Sequence, residues 1–158
     1  MGNHIATFEL DPDNPGNGSC FYDALEVVGV SQAIQYAPAG YYEETSPFIV
    51  YQGGAAPSQG GSNFSGGYGC ILGLGTKATM GFTGTQIKYY TPKYSTIGRI
   101  KVTIDGTPYY FEQGGTTENS SLRFTSPVLA AGNHVATFEL DPDNPGNGSF
   151  FFDATEII

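Results

Sequence analysis

The sequence predicts an all-β fold: an antiparallel β-sandwich of about eight to nine strands, in which an extra N-terminal hairpin repeats the C-terminal one. Three observations favour this class. Apolar and polar residues alternate with a period of two in many short segments. The 158 residues include 23 Gly and 10 Pro, which favour turns over helices. Aromatic residues make up 14% of the chain and charged residues only 13%, which favours a packed core over disorder.

A long repeat joins the two ends of the chain. Residues 2–27 and 132–157 are identical at 21 of 26 aligned positions, and the segment between them resembles neither copy. The offset of about 130 residues is typical of one β-sandwich domain. We therefore predict that residues 1–28 correspond to the end of a preceding unit in a tandem array, and that residues 29–158 form one complete unit.

Each copy is predicted to form a hairpin. In the first copy, residues 4–10 alternate with a period of two, residues 11–19 are a cluster of Asp, Asn, Pro and Gly, and residues 20–28 form a second strand. The segment between the copies continues the pattern. Its predicted strands are 48–52, 70–74, 76–82, 85–91, 97–104, 107–112 and 121–125.

Other segments are predicted to be connections. Asp105 and Gly106 separate two alternating strands and are typical of a two-residue hairpin turn. Residues 53–69 form a long loop rich in Gly and Ser, and loops of such length are usually functional or mobile. Residues 29–47 show a less regular pattern, compatible with a short helix or a strand.

The order of motifs resembles the galactose-binding-like jelly rolls, a group that includes many carbohydrate-binding modules. The resemblance rests on FIVYQGG (48–54), MGFTGTQIKYY (80–90), KVTIDG (101–106), LAAGNHVATFEL (129–140) and FFFDATEI (150–157). It covers residues 48–157 and implies a jelly-roll β-sandwich that is usually extracellular and usually non-catalytic. Such modules commonly carry Trp at the binding edge, and this chain has none.

The charge pattern excludes several functions. Fifteen acids face six bases, for a formal charge of −9, which disfavours nucleic acid as a partner. Each repeat copy holds five acids and no base, so the middle of the chain is nearly neutral. No apolar run is long enough for membrane insertion. The histidines, His4 and His134, occupy equivalent repeat positions, and no catalytic motif is present, so we expect no enzyme.

The repeated turn is a candidate calcium site. Calcium prefers six to eight hard oxygen ligands, often from loops rich in Asp and Asn. The alternative is a structural turn whose side chains bind backbone amides. The candidate ligands are Asp11, Asp13, Asn14 and Asn17 in the first copy, and Asp141, Asp143, Asn144 and Asn147 in the second.

Tyrosines and loop residues are candidates for glycan binding, because an outward-facing ring can stack on a sugar. We predict Tyr68, Tyr94, Asn63 and Gln59 as the ligand-binding residues. Four Asn-x-Ser/Thr sequences are candidate glycosylation sites in a secreted protein. Their asparagines are Asn17, Asn63, Asn119 and Asn147.

The cysteines bear on the repeat. Cys20 lies in the first copy, where the second copy has Phe150, so Cys70 can pair only with Cys20 of this chain or of another. Free buried thiols are the alternative to this disulfide.

Two functions follow from the sequence. The first is a non-catalytic extracellular β-sandwich repeat that binds copies of itself through the duplicated hairpin, building a filament or surface array. The alternative is a carbohydrate-binding module of a larger secreted protein, with glycans as partners.

Overall fold

The computed structural model of this chain describes residues 33–53 and 59–158, with Gln59 and Gly60 described by their backbone alone. These residues form strands and one short 3-10 turn, Ser65–Gly67. Ala33–Ile158 make up one compact unit. The predicted domain boundary after residue 28 lies outside the described residues and stays a prediction.

The first sheet has the order β1-β6-β11-β8-β9, and β3 also pairs with β6. All of its pairings are antiparallel except that between β1 and β6. Its strands are β1 (Tyr36–Ala37), β3 (Ile49–Gln52), β6 (Lys77–Gly84), β8 (Arg99–Ile104), β9 (Thr107–Glu112) and β11 (Gly132–Leu140).

The opposing layer consists of two smaller sheets. The second sheet has the order β10-β7-β13-β2, and the third has the order β12-β5-β4. The strands of the second sheet are β2 (Gly40–Glu43), β7 (Ile87–Lys93), β10 (Glu118–Thr125) and β13 (Ala154–Ile157). Those of the third are β4 (Gln59–Gly60), β5 (Tyr68–Gly73) and β12 (Ser149–Phe152). The predicted all-β sandwich is confirmed.

The core lies between these layers and is centred on three aromatic rings. Tyr89 of β7, Phe138 of β11 and Phe152 of β12 are all fully buried. The Tyr89 ring centroid lies 4.8 Å from that of Phe138 and 5.2 Å from that of Phe152. The centroids of Phe138 and Phe152 are 5.1 Å apart. These contacts join one strand from each of the three sheets, so the rings stabilise the whole sandwich.

The predicted strands agree with the structure to within a few residues at their ends. The turn between β8 and β9 is confirmed, since Ile104 pairs with Thr107 across it. Asp105 and Gly106 both have positive φ, 48° and 84°, as a two-residue hairpin turn of this hand requires. In the loop predicted over 53–69, the structure places β4 and the 3-10 turn. In the irregular region it places β1 and β2.

The predicted hairpin is wrong for the second repeat copy. Its first strand, β11, lies in the first sheet between β6 and β8. Its later residues form β12, paired with β5, and β13, paired with β2 and β7. The turn between β11 and β12 is therefore an arch that crosses from one layer to the other. Period-two alternation predicts strands but carries no information about which strands pair. The first copy lies outside the described residues.

A buried amide fixes β12 in the third sheet. Gln113, fully buried, follows β9 and acts like a strand partner for the backbone of Phe151. Its Nε2 donates a hydrogen bond to the Phe151 carbonyl (2.9 Å), and its Oε1 accepts one from the Phe151 N–H (3.1 Å). The hydroxyls of Tyr89 and Thr91 donate to the same carbonyl. This network fixes the backbone of β12 close to Asp153, the residue that separates β12 from β13.

Candidate metal centre under the 61–67 loop

Three carboxylates converge where β2 ends and β12 passes into β13. Glu43 is the last residue of β2 and pairs with Ala154, the first residue of β13. This register brings Asp153, which directly precedes Ala154, beside Glu43 and Glu44. One oxygen from each of the three side chains lies within 4.8 Å of the others.

Burial shapes the electrostatics of this cluster. Asp153 is 0% exposed and Glu44 is 4% exposed, whereas Glu43 is partly buried. The pKa of Asp153 is raised to about 6, chiefly by burial and then by the charges of Glu43 and Glu44, against the opposing effect of two hydrogen-bond donors. The pKa of Glu44 is also raised, chiefly by burial and then by the charge of Glu43. The cluster thus concentrates negative charge away from water.

The 61–67 loop covers the cluster. The Ser65 N–H donates a hydrogen bond to Asp153 Oδ2 (3.0 Å), and the Ser65 hydroxyl donates to Glu43 Oε1 (3.1 Å). The Tyr41 hydroxyl donates in turn to Ser65 Oγ (3.1 Å). A single serine therefore connects the loop to two of the three carboxylates and to an exposed aromatic ring.

Local sequence explains why the loop sits there. Phe64 lies flat on β5 at Gly69, where a β-carbon would collide with its ring. The Gly61 N–H donates to the Gly67 carbonyl (2.9 Å) and closes the loop. The Ser120 N–H donates to the carbonyl of Asn63 (2.7 Å), which ties the loop to β10. The loop is thus fixed on both sides of Ser65.

Several polar atoms of the cluster lack partners. Glu43 Oε2, Asp153 Oδ1 and Ser120 Oγ are buried and complete no hydrogen bond of normal geometry, although the Ser120 hydroxyl faces Asp153 and lowers its pKa. None of the ion pairs among the described residues involves the three carboxylates. Buried polar atoms are rarely left unpaired in folded proteins. A hard cation with oxygen ligands fits this set of donors.

The predicted calcium turn uses much of its polar surface in other contacts. Asp141 Oδ2 forms an ion pair with Arg99 Nη2 (2.5 Å), and Asp141 Oδ1 accepts a hydrogen bond from the Asp143 N–H (3.1 Å). The Asn147 amide group binds Thr96 and the backbone of the next strand. The side chains of Asp143 and Asn144 are exposed. Calcium at this turn stays a prediction, and Asp11, Asp13, Asn14 and Asn17 lie outside the described residues.

The predicted glycan-binding residues surround the 61–67 loop. Tyr68, 63% exposed, directly follows the loop, and the partly buried Asn63 belongs to it. Tyr94 packs on Phe151 with the ring centroids 4.9 Å apart, and Phe151 in turn contacts Phe64 of the loop. Gln59 is described only as part of β4. The sequence prediction omitted Tyr41, which is 48% exposed beside the loop, although its place in the pattern GYYE was visible.

The remaining predicted sites are only partly covered by the described residues. Cys70 is buried, and its thiol pKa is raised to about 11 by burial and then by Glu44. Cys20 lies outside the described residues, so the disulfide stays a prediction. Among the glycosylation candidates, Asn119 is exposed on β10, Asn63 is partly buried, and Asn147 is exposed with its amide hydrogen-bonded. Asn17 is not described.

Comparison with known proteins bears on the fold. No family model matches the sequence, and neither does any curated protein. Several solved structures share the architecture at low sequence identity, and three of them represent the group.

A Paenibacillus sp. cycloisomaltooligosaccharide glucanotransferase superposes with a TM-score of 0.55 and 15% identity over 75% of this chain. An exo-β-1,3-galactanase from Phanerochaete chrysosporium gives 0.54 and 19% over 77%. The chain spans only 18% and 30% of these two enzymes.

The carbohydrate-binding module CBM36, solved in complex with calcium and xylotriose, has a TM-score of 0.53 and 14% identity. This superposition covers 74% of the present chain and 98% of that module. At such identities the likeness concerns the fold. This chain therefore has the galactose-binding-like β-sandwich fold found in carbohydrate-binding modules.

Proposed function

We propose that this protein is a non-catalytic carbohydrate-binding domain that holds a calcium ion at the Glu43–Glu44–Asp153 cluster. The observation that carries the proposal is the set of buried, unpartnered carboxylate oxygens in that cluster. It is supported by the fold shared with a module whose structure contains calcium and xylotriose.

Calcium suits the cluster for three reasons. Its preferred ligands are carboxylate, hydroxyl and carbonyl oxygens, and the buried hydroxyl of Ser120 adds to the three carboxylates. A divalent ion neutralises charge that the described part of the protein leaves without a cationic partner. Extracellular modules bind calcium with Kd of about 10⁻⁴–10⁻³ M, which matches the extracellular location that we propose.

No helix in the part of the chain that the structure describes has the length and apolarity of a membrane span.

The glycan is expected to bind beside this centre. Tyr41, whose hydroxyl donates to Ser65, and Tyr68, which directly follows the loop, both have exposed rings, and Asn63 belongs to the loop between β4 and β5. Aromatic faces stack on sugars, while loop amides and hydroxyls bind their oxygens. Calcium acts in this proposal by fixing the 61–67 loop, because Ser65 binds two of the carboxylates that would hold the ion.

The test of glycan binding is affinity electrophoresis through gels that contain soluble β-glucans, galactans or xylans, with and without calcium. We expect one class of polysaccharide to retard the protein, and Tyr41→Ala and Tyr68→Ala to weaken the retardation. Tyr110→Ala is the matched control, because Tyr110 is 50% exposed on the first sheet and stacks on Arg99. Migration unaffected by every polysaccharide would contradict the carbohydrate-binding function.

The calcium site is tested separately by thermal unfolding after treatment with a chelator. A ligand that binds only the folded state stabilises it by about 2.7 kcal/mol when its concentration is 100 times Kd. We therefore expect the melting temperature to rise with added calcium. An unchanged melting temperature at about 10⁻² M calcium, at least ten times the Kd of such modules, would contradict the metal centre and leave glycan binding open.

End-to-end assembly is a second candidate function. The observation that favours it is the position of the second repeat copy, which supplies the strand between β6 and β8 and the strand between β2 and β7. A second copy of the same sequence has the chemistry to add to the sandwich of a neighbouring chain. Light scattering tests this. A chain that is monomeric at all concentrations, and unchanged when residues 1–28 are deleted, would contradict assembly.

A further inference from the structure

The second repeat copy fills a well-defined space, here called the slot. The slot lies between β6 and β8 in the first sheet, along β5 in the third, and between β7 and β2 in the second. Residues 132–157 occupy it. Any segment that takes their place must bury the same apolar side chains and meet the same charged neighbours.

Residues 2–27 match the apolar side of the slot. The residues of β11 that face the core are Ala136, Phe138 and Leu140, all buried. Their equivalents in the first copy are Ala6, Phe8 and Leu10, without a change. The buried Asp153 of the metal centre likewise has an identical equivalent, Asp23. The first copy therefore carries both the core residues and the buried acid that the slot requires.

The charges of the slot also match. Glu139 forms ion pairs with Lys77 (3.2 Å) and Lys101 (2.7 Å) on the flanking strands β6 and β8. The acids of the first copy are identical in number and position to those of the second, and this copy holds no base. Asp141 also pairs with Arg99, Glu156 with Lys88 and His134 with Asp105. The first copy has the equivalent histidine, His4. The acids Glu139, Asp141 and Glu156 have equivalents there as well. The equivalents of these three acids are Glu9, Asp11 and Glu26.

The chain is long enough for its own first copy to reach the slot. Ile158, at the end of the occupant, lies against Gly84, since its carbonyl accepts a hydrogen bond from the Thr85 N–H (2.6 Å). Ile34 lies against Gly81 on the same strand, and three residues of a strand span about 10 Å. Residue 28 is the equivalent of Ile158, and the six peptide steps from it to Ile34 extend to at most about 20 Å.

We propose that the slot accepts residues 2–27 of the same chain in place of residues 132–157, so that one sandwich has two alternative occupants. The second copy is the better fit. Phe150 is fully buried, and Cys20 at its place leaves the volume of an aromatic ring unfilled. The other differences at buried positions are Tyr22 for Phe152 and Leu25 for Thr155, which add atoms, and Val27 for Ile157, which removes a methylene group.

Three variants of the full chain test this exchange. Phe138→Asp places a charge among buried rings and excludes the second copy from the slot. Phe8→Asp makes the equivalent change in the first copy, and the third variant carries both. We expect Phe138→Asp to keep a cooperative thermal transition at a lowered melting temperature, the double variant to lose that transition, and Phe8→Asp to melt like the unmodified chain.

Two results would overturn the proposal. In one, Phe138→Asp behaves like the double variant, whether both unfold or both stay folded, which would show that the first copy rescues nothing. In the other, Phe138→Asp is folded only as a dimer whose melting temperature rises with protein concentration, which would assign the rescue to a neighbouring chain. A folded monomer that depends on Phe8 supports exchange within the chain.

Discussion

The Asp153→Asn substitution should stabilise the folded protein in the absence of calcium and destabilise it, relative to the unmodified protein, when calcium is bound. Folding raises the pKa of this carboxyl from 3.8 to about 6. Below pH 3.8 the group is protonated in both the folded and unfolded states and costs no stability. As the pH rises towards 6 the unfolded state loses the proton first, so the metal-free folded state becomes less stable, by about 3 kcal/mol above pH 6.

The Asp153→Asn substitution removes this cost but weakens the hydrogen bond from the Ser65 N–H, which is worth about 1 kcal/mol. The variant should therefore be about 2 kcal/mol more stable than the unmodified protein at pH 7 in chelator. For a chain of this size that is about 4–8 °C in melting temperature. With calcium at about 100 times Kd the order should reverse, because a neutral amide is a poorer calcium ligand than a carboxylate and the unmodified protein gains about 2.7 kcal/mol of binding energy, more than the substitution contributes.

Thermal unfolding followed by circular dichroism measures both effects, at pH 4 and pH 7, with calcium or with chelator. Asp143→Asn is the matched control, since Asp143 is exposed and belongs to the turn where the sequence predicts calcium. If Asp153→Asn were less stable than the unmodified protein in chelator at pH 7, the electrostatic reasoning would be refuted. If calcium still stabilised it fully but no longer stabilised Asp143→Asn, the ion would belong to the repeated turn.

Two further predictions concern the scaffold. Gln113→Leu should destabilise the fold by about 1–3 kcal/mol, because it leaves the Phe151 N–H without its partner, while the Phe151 carbonyl keeps the hydroxyls of Tyr89 and Thr91. Urea unfolding against the exposed control Gln52→Leu measures the loss. The hydrogen bond between His134 and Asp105 raises the pKa of His134, so its stabilisation is complete below pH 6.5 and is lost as the pH rises through the folded-state pKa. The pair is partly exposed, so Asp105→Asn should cost at most about 1 kcal/mol at pH 5.5 and almost nothing at pH 8.5, as thermal melts at the two pH values would show.

Local patterns predicted most of the strands and one turn. The alternation in the repeat predicted the strand β11, and the Asp105–Gly106 pair predicted the turn between β8 and β9. These features depend on neighbours in the sequence, since a side chain's face and a turn's φ angles are set within a few residues. Their prediction therefore needed no knowledge of partners.

The candidate site was less accessible to such reasoning. The sequence drew attention to the dense Asp and Asn cluster at 141–147, whose Asp141 instead pairs with Arg99. Glu43 and Asp153 lie near opposite ends of the described chain, and neither stands in a pattern typical of metal ligands. Only the pairing of β2 with β13 brings them together. When metal ligands are brought together by the pairing of distant strands, the sequence shows no characteristic spacing between them.

The class of fold, the duplication and the location of the excess negative charge follow from the amino-acid sequence without a structure. Composition, periodicity and identity between segments are properties of the sequence, so they can be established without a structure. The tertiary structure was needed to show that the second repeat copy is an arch across two layers and that it supplies central strands of the sandwich. It also decided that three carboxylates share a buried space. Pairing between strands distant in sequence depends on the packing of the whole core, and no local pattern encodes it.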